Sequence, residues 1–406
     1  MNINEFCLNI IQLSSTTTPP SKNNTQIDFK LDSYQGNNKK AWSKVDSLER
    51  AGLTRSALTV VEQIYQNAKE EKNSPQIIKA LIYKLKFINY TEENSNKKVI
   101  NQIKNSIDSA SFPAKPVLQS ILAEAYWQYY RQNRYRFINR TETINFDNND
   151  FETWDLTRLI KEIIRLYHSS LLNEDSLKSI PVSAFKDILV VYKDRTYLRP
   201  TLFDFLANRA LNFYMNEEAS VTEPVYKFEL KDPHIFSPAK KFIKLNFSTN
   251  DSLSFKFYAA KLFQDLISFH LIDSVKDPLI DIDLMRLNFM KSNSVNEYKD
   301  SLYLNALNEM ELKYSKVPFS SMILYNKANY YLEKGKQYNS GTGIQYRWDK
   351  KKAFNICETA IKKFPGTTGT QACEALKSQI LHKDLDFKVE HANLIGQSFR
   401  ALIQYT

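Results

Sequence analysis

Residues 123–141 read AEAYWQYYRQNRYRFINRT, six aromatics and four arginines in nineteen positions. Rings beside guanidinium groups are what a protein uses to stack bases and neutralise phosphates. The same residues also suit a helix enclosed by other helices. Tyr126, Tyr130 and Phe137 fall near one side of such a helix, with Trp127 and Arg134 beside them, while Tyr129 and Arg136 turn away. A helix that is aromatic almost all round belongs inside a protein. Acidic residues follow closely in Glu142, Asp147, Asp150, Glu152 and Asp155. The stretch is therefore read as a structural polar and aromatic cluster of Trp127, Tyr130, Arg134, Arg140 and Asp155, with guanidinium–carboxylate pairs fixing helix register. No nucleic-acid partner is expected.

Other reactive residue types give no catalytic constellation. The five histidines, at 168, 234, 270, 382 and 391, have no metal-ligand companion at helical or loop spacing. His270 reads as a hydrogen-bonded core residue. Asp281 and Asp283 form a D-x-D just after Pro278, where acidic residues suit a helix N-terminus. There is no G-x-S-x-G elbow. Cys357 lies eight residues before Pro365 and Cys373 eight after it, so a bend there brings them level on antiparallel helices. That leaves two readings open, a disulfide between Cys357 and Cys373 or two buried thiols acting as small hydrophobes. No catalytic residue, cofactor or metal is assigned, and the chain reads as a non-enzyme.

The elements that would carry these residues are helices. Only 8 of the 406 residues are glycine, and none lies between Gly52 and Gly335. Backbone approach to a phosphate needs a residue without Cβ, so that span holds no P-loop or dinucleotide fingerprint. Apolar residues at helical spacing mark one element after another from about residue 39. Trp42, Val45 and Leu48 precede Gly52; Ala57, Val61 and Ile64 follow it. Ser74-Pro75 reads as an N-cap with proline in the first turn. Leu156 to Tyr167 form a broad stripe. Net charge is +10, but lysine is dispersed among acidic residues and asparagines, which fits solvated faces. No stretch approaches eighteen consecutive apolar residues, so no transmembrane segment is expected. The N-terminus lacks a basic n-region and makes a poor secretory signal.

The expected organisation is a mobile lead-in over 1–38, a helical array over 39–220, and a β hairpin-like insertion over 221–257. Helical repeats over 258–384 and the start of a truncated β domain over 385–406 follow. The insertion rests on the alternation in VYKFEL, FIKLNF and SLSFKF. Ala353, Cys357, Ala360 and Pro365 fall at the second-helix spacing of a tetratricopeptide repeat, and Ala306, Met310 and Pro318 repeat part of it. The two alanines stand 47 apart instead of about 34; the polar segment from Gln337 to Trp348 absorbs the excess as a loop. The fold class is mainly all-α, a tetratricopeptide-like α-solenoid of helical hairpins.

Three blocks together carry a resemblance: the segment from AWSKVDSLERAGL to IKALIYKLKF, then AEAYWQYYRQNRYRFINRT with TWDLTRLIKEI, then LRPTLFDFLANRAL. They resemble the N-terminal helical region of bacterial alpha-2-macroglobulin family proteins of the cell envelope. The resemblance implies a periplasmic or envelope location and a role beside protease-trapping domains. Its partners would be another protein or the β domains of the same full-length chain. The family's thioester forms in C-x-E-Q. Here Cys357 is followed by Glu358-Thr359-Ala360 and Cys373 by Glu374-Ala375-Leu376, so neither supplies it. The expected function is a non-catalytic interaction or structural module. Two rival readings are a glycan-binding surface lipoprotein built on similar repeats and a cytosolic peptide-binding repeat module.

Overall fold

The computed structural model describes residues 38–91, 95–138, 150–186, 188–189, 195–216, 227–339, 341–382, 385–389 and 401–405. Among them the chain is mainly helical, as the spacing of apolar residues predicts. In chain order come α1 (Asn38–Arg50), α2 (Thr54–Glu70), α3 (Ser74–Thr91), α4 (Asn96–Ser109), α5 (Ala114–Gln132) and the short α6 (Arg134–Ile138). Then follow α7 (Leu156–Ser169), α8 (Glu174–Ser179), α9 (Leu202–Tyr214), α10 (Ala239–Phe242) and α11 (Phe255–His270). The last helices are α12 (Asp277–Asn293), α13 (Lys299–Lys313), α14 (Ser321–Gly335), α15 (Asp349–Lys363) and α16 (Thr368–Leu381). Strands β1 (Leu385–Val389) and β2 (Ala401–Tyr405) pair antiparallel, Leu385 opposite Tyr405 and Val389 opposite Ala401. The lead-in over 1–37 lies outside the described residues.

Two compact units are formed, Met1–Leu230 with Asn246–Asp273, and Lys231–Leu245 with Ser274–Thr406. The division thus falls elsewhere than at 220 and 257. Residues 231–245 belong to the second unit because α12 holds them: Arg286 donates to the Ile235 carbonyl and lies 4.4 Å from the Phe242 ring centre. α11 belongs to the first unit, where Phe255 meets Phe213 of α9 at 4.8 Å and Tyr258 stacks on Tyr214 at 5.3 Å.

The expected β insertion is corrected. Residues 221–226 lie outside the described residues, and from 227 to 257 there is no strand, only a 3-10 turn at Pro233–Phe236, α10, turns and irregular chain, and the start of α11 at Phe255. Prolines 233 and 238 offer no ladder donor, and Asp232 caps the turn by accepting from the His234 N–H at 2.8 Å. The alternating rings serve packing. Phe228 contacts Phe247 and Phe257, at 6.2 and 5.6 Å.

In the first unit, Trp42 is buried with Val45, Ala57, Val61 and Ile64. Its indole N–H donates to Gln76 Oε1 at 2.8 Å, the partner a buried indole needs. The α3 cap is one residue earlier than the sequence suggests. Asn73 Oδ1 accepts from the Gln76 N–H, and Ser74 is already helical.

The last three helices of the second unit have a defined sense. The end of α14 meets the start of α15 at Gly335, where a Cβ would stand 2.8 Å from the Lys350 nitrogen. These two helices are therefore antiparallel. Gly369 at the start of α16 meets the start of α14; a Cβ there would lie 2.4 Å from the Ser321 carbonyl carbon. The Thr367 hydroxyl donates to Ser321 Oγ at 2.9 Å at the same corner. Leu324, Ala328 and Leu332 of α14 share a core with Ala353, Cys357 and Ala360 of α15 and with Cys373 and Leu376 of α16. So α14 and α16 run side by side in the same direction. Outside this core, α13 is tied to α14 by Lys334–Asp300 at 2.6 Å and Lys327–Glu311 at 2.8 Å.

Candidate functional site

The structure divides the aromatic and arginine stretch. Trp127 and Tyr130 are buried and stacked, 5.1 Å apart, with Trp127 edge-on to Phe213 at 5.3 Å. Arg134 is exposed and does not join them. α5 ends at Gln132, where the Asn133 side chain donates to the Tyr129 carbonyl at 2.9 Å. The chain restarts with a shifted phase that points Arg134 and Arg136 outward. Asp155 is a helix cap, its Oδ1 accepting from the Arg158 N–H at 2.7 Å. The nearby carboxylates Asp150 and Glu152 pair with Lys97, at 2.5 and 3.6 Å. Arg140 lies outside the described residues. The buried guanidinium beside this helix is instead Arg209 of α9, whose Nε donates to Ser120 Oγ at 2.9 Å.

Tyr126 has a fully buried hydroxyl without a partner among the described residues, and burial pushes its phenol well above the usual tyrosine value. Tyr126→Phe removes that oxygen and keeps the ring against Phe151 and Trp154. The variant is expected to gain about 1 kcal/mol in denaturant unfolding.

His270 closes a buried polar constellation within the first unit. Its Nε2 lies 2.9 Å from Asp204 Oδ1 and its Nδ1 lies 2.7 Å from Asp273 Oδ2. Asp204 also completes a capping box, accepting from the Thr201 N–H and hydroxyl. Carboxylates on both ring nitrogens favour the imidazolium. Burial opposes that charge most strongly, but the hydrogen bonds to Asp204 and Asp273 outweigh it and raise the pKa above the usual 6.5. The sign follows from linkage: the contribution is complete below the unfolded value and is lost as pH rises through the raised one. Unfolding free energy is expected to fall as pH climbs above 6.5, and His270→Gln is expected to flatten that slope. Equilibrium denaturation across pH measures it. With both nitrogens occupied, this histidine has no free base to offer a substrate, and the hydrogen-bonded core reading holds.

The second unit has a partly open pocket of about 100 Å³ lined by Phe236, Ala239, Leu287, Ala306, Met310 and Tyr314, with Asp283 and Arg286 in its wall. The expected capping role of Asp283 is corrected here. α12 begins at Asp277 with Pro278 in its first turn, which places Asp283 in the second turn and buries it. Arg286 donates from Nε and Nη2 to Asp283 Oδ1, each at 2.7 Å. The pair is consumed by structure. The space matches one aliphatic side chain and falls below the 300 Å³ or so of a typical small-molecule site.

Cys357 and Cys373 are both buried, free thiols on adjacent helices and share one core. The neighbouring Cys357 thiol and burial hold the Cys373 thiol well above its ordinary value, which keeps it protonated. Among the described residues, no group of three or more His, Cys, Asp or Glu is placed to hold a metal ion. No described helix is long and apolar enough to cross a membrane. Comparison with protein-family models, curated proteins and solved structures gives no match for this chain.

The residues that sequence reasoning missed had local signals. Thr201 and Asp204 stand at capping-box spacing, Arg286 lies three residues after Asp283, and Gly335 and Gly369 are glycines in helices of a glycine-poor chain.

Proposed function

We propose that this chain is a non-catalytic helical interaction module, with a tetratricopeptide-like stack in its second unit. The observation that carries the reading is the alternation of sense from α14 through α15 to α16, with Gly369 seated against Ser321. Repeat arrays stack in this way because each hairpin buries its face only against the next. The rings and ions that chemistry would need support the same reading, since they are spent inside: Trp127 on Tyr130, His270 between two carboxylates, Arg286 on Asp283. What such a module offers is surface.

The parent context we propose is an alpha-2-macroglobulin-like envelope protein, on the strength of the three sequence blocks. In that context the module serves as a platform for neighbouring β domains, and β1–β2 is the chain's passage toward them. The reading frame beyond Thr406 and a calorimetric titration test this. Macroglobulin-type domains with a C-x-E-Q should be encoded there, and the first of them, expressed separately, should bind the chain one to one. A stop codon after Thr406, or no heat of binding, contradicts the reading.

A further inference from the structure

The chain has four tryptophans, and three of them, Trp42, Trp127 and Trp154, are buried. Trp348 is 58% exposed. It does not stand alone. Ile344, one helical turn earlier, is 62% exposed, and Tyr338 is 42% exposed. A single exposed apolar side chain means nothing, but a local group of large ones on one loop marks a contact surface.

The described residues of the loop that carries them are held by specific contacts. Gly343 takes the left-handed conformation at φ 78°, and a Cβ there would stand 2.5 Å from the Gln337 carbonyl oxygen. The Asn339 N–H donates to the Thr342 carbonyl at 3.0 Å, and the Gly341 N–H donates to Asn339 Oδ1 at 2.9 Å. A 3-10 turn over Ile344–Tyr346 then leads through Trp348 into α15. The fold thus holds apolar groups in water at a fixed place, which costs stability unless something covers them.

Cations surround the same group. Arg347 and Lys351 lie 5.0 and 5.9 Å from the Trp348 ring centre. Arg347, Lys350 and Lys351 are exposed and have no carboxylate partner among the described residues, whereas Lys334, Lys336 and Lys352 are paired with Asp300, Glu333 and Asp349. Three unpaired cations thus flank the place where the apolar side chains emerge.

We propose that this loop and the first turn of α15 dock on the surface of an anionic phospholipid bilayer. Indole and phenol rings sit at the boundary between headgroups and acyl chains, a branched aliphatic side chain enters below it, and unpaired cations face acidic headgroups. Single-stranded nucleic acid fits less well, because Ile344 has no flat face to stack on a base. This inference is independent of the proposed parent family.

Trp348 also supplies the readout, since the other three indoles are already buried. Tryptophan emission and co-sedimentation of the full chain are measured with vesicles of phosphatidylcholine alone and of phosphatidylcholine mixed with phosphatidylglycerol. Binding is expected only to the mixed vesicles, with a blue shift of emission and a loss at high salt. Trp348→Ala with Ile344→Ser, and separately Lys350→Glu with Lys351→Glu, should each weaken co-sedimentation about tenfold or more while circular dichroism stays unchanged. No binding to mixed vesicles, equal binding to neutral ones, unaltered binding by both variants, or displacement from vesicles by a single-stranded oligonucleotide would each overturn the proposal.

Discussion

Gly369→Ala is expected to destabilise the second unit by about 3 kcal/mol, although alanine is the better helix former by about 1 kcal/mol. Two opposing effects act at this position, and the geometry decides between them. Gly369 sits in the first turn of α16 with an ordinary helical backbone, so propensity alone favours the substitution. A Cβ there, however, would stand 2.4 Å from both the Ser321 carbonyl carbon and Oγ, and 2.5 Å from the Met322 nitrogen. Two of these atoms are backbone of a buried helix start and cannot swing aside. The helices must move apart, opening the core formed by Leu324, Cys357 and Cys373. Gly366→Ala is the control: its φ is 76°, and nothing lies within 4 Å of the position a Cβ would take. There the cost is backbone strain alone, about 1 kcal/mol. Hydrogen exchange at the α14–α16 amides reads the second unit by itself. Gly369→Ala no less protected than Gly366→Ala would contradict the described contact.

The second large effect belongs to the buried ion pair. Asp283→Ala is expected to cost about 3–5 kcal/mol, because it strands a buried guanidinium. Arg286 also bonds to the Ile235 carbonyl and covers Phe242, so it anchors residues 231–245 to α12. Arg286→Met leaves Asp283 and that carbonyl unsatisfied and should lose a similar amount. Replacing both at once, Asp283→Ala with Arg286→Met, removes both buried charges together. It is expected to cost well under the sum of the single changes. A denaturant-unfolding cycle over the four proteins measures the coupling. Additive losses would show that the two residues do not act as a pair.

Helices were legible where apolar spacing alone decides them. The stripe from Leu156 to Tyr167 is buried as its spacing demands apart from Leu156 at its start, which is half-buried, and Ala353, Cys357 and Ala360 face the core. The glycine-free span contains helices throughout its described part. Alternation in FIKLNF and SLSFKF misled because a period of two over six residues also arises where a helix meets a turn: Phe242 ends α10 with Ile243 and Lys244 turning after it, and Phe255 to Phe257 open α11. In the aromatic stretch, types were read correctly and partners were not. Asn133 ends α5 and turns Arg134 outward, and a break of one residue is invisible in a pattern that reads as helical on both sides. Asp155 and Asp283 exchanged their expected roles. The one read as an ion-pair partner caps a helix, while the one read as a cap is an ion-pair partner. Both roles need only a carboxylate near a helix start, so residue type could not separate them. Partnership over long separations, such as His270 with Asp204, leaves no trace in local spacing.

The stacking sense of α14 and α16 can be measured directly. Glu333, near the end of α14, and Gln371 and Gln379, near the two ends of α16, are exposed. Gln371 and Gln379 are about 12 Å apart along the helix axis. With the native cysteines replaced by alanine, spin labels are placed at Glu333→Cys with Gln379→Cys, and at Glu333→Cys with Gln371→Cys. Dipolar spectroscopy should find the Glu333–Gln379 distance to be the shorter. The reverse order would mean that α14 and α16 run in opposite directions, and the repeat-like stack would not exist.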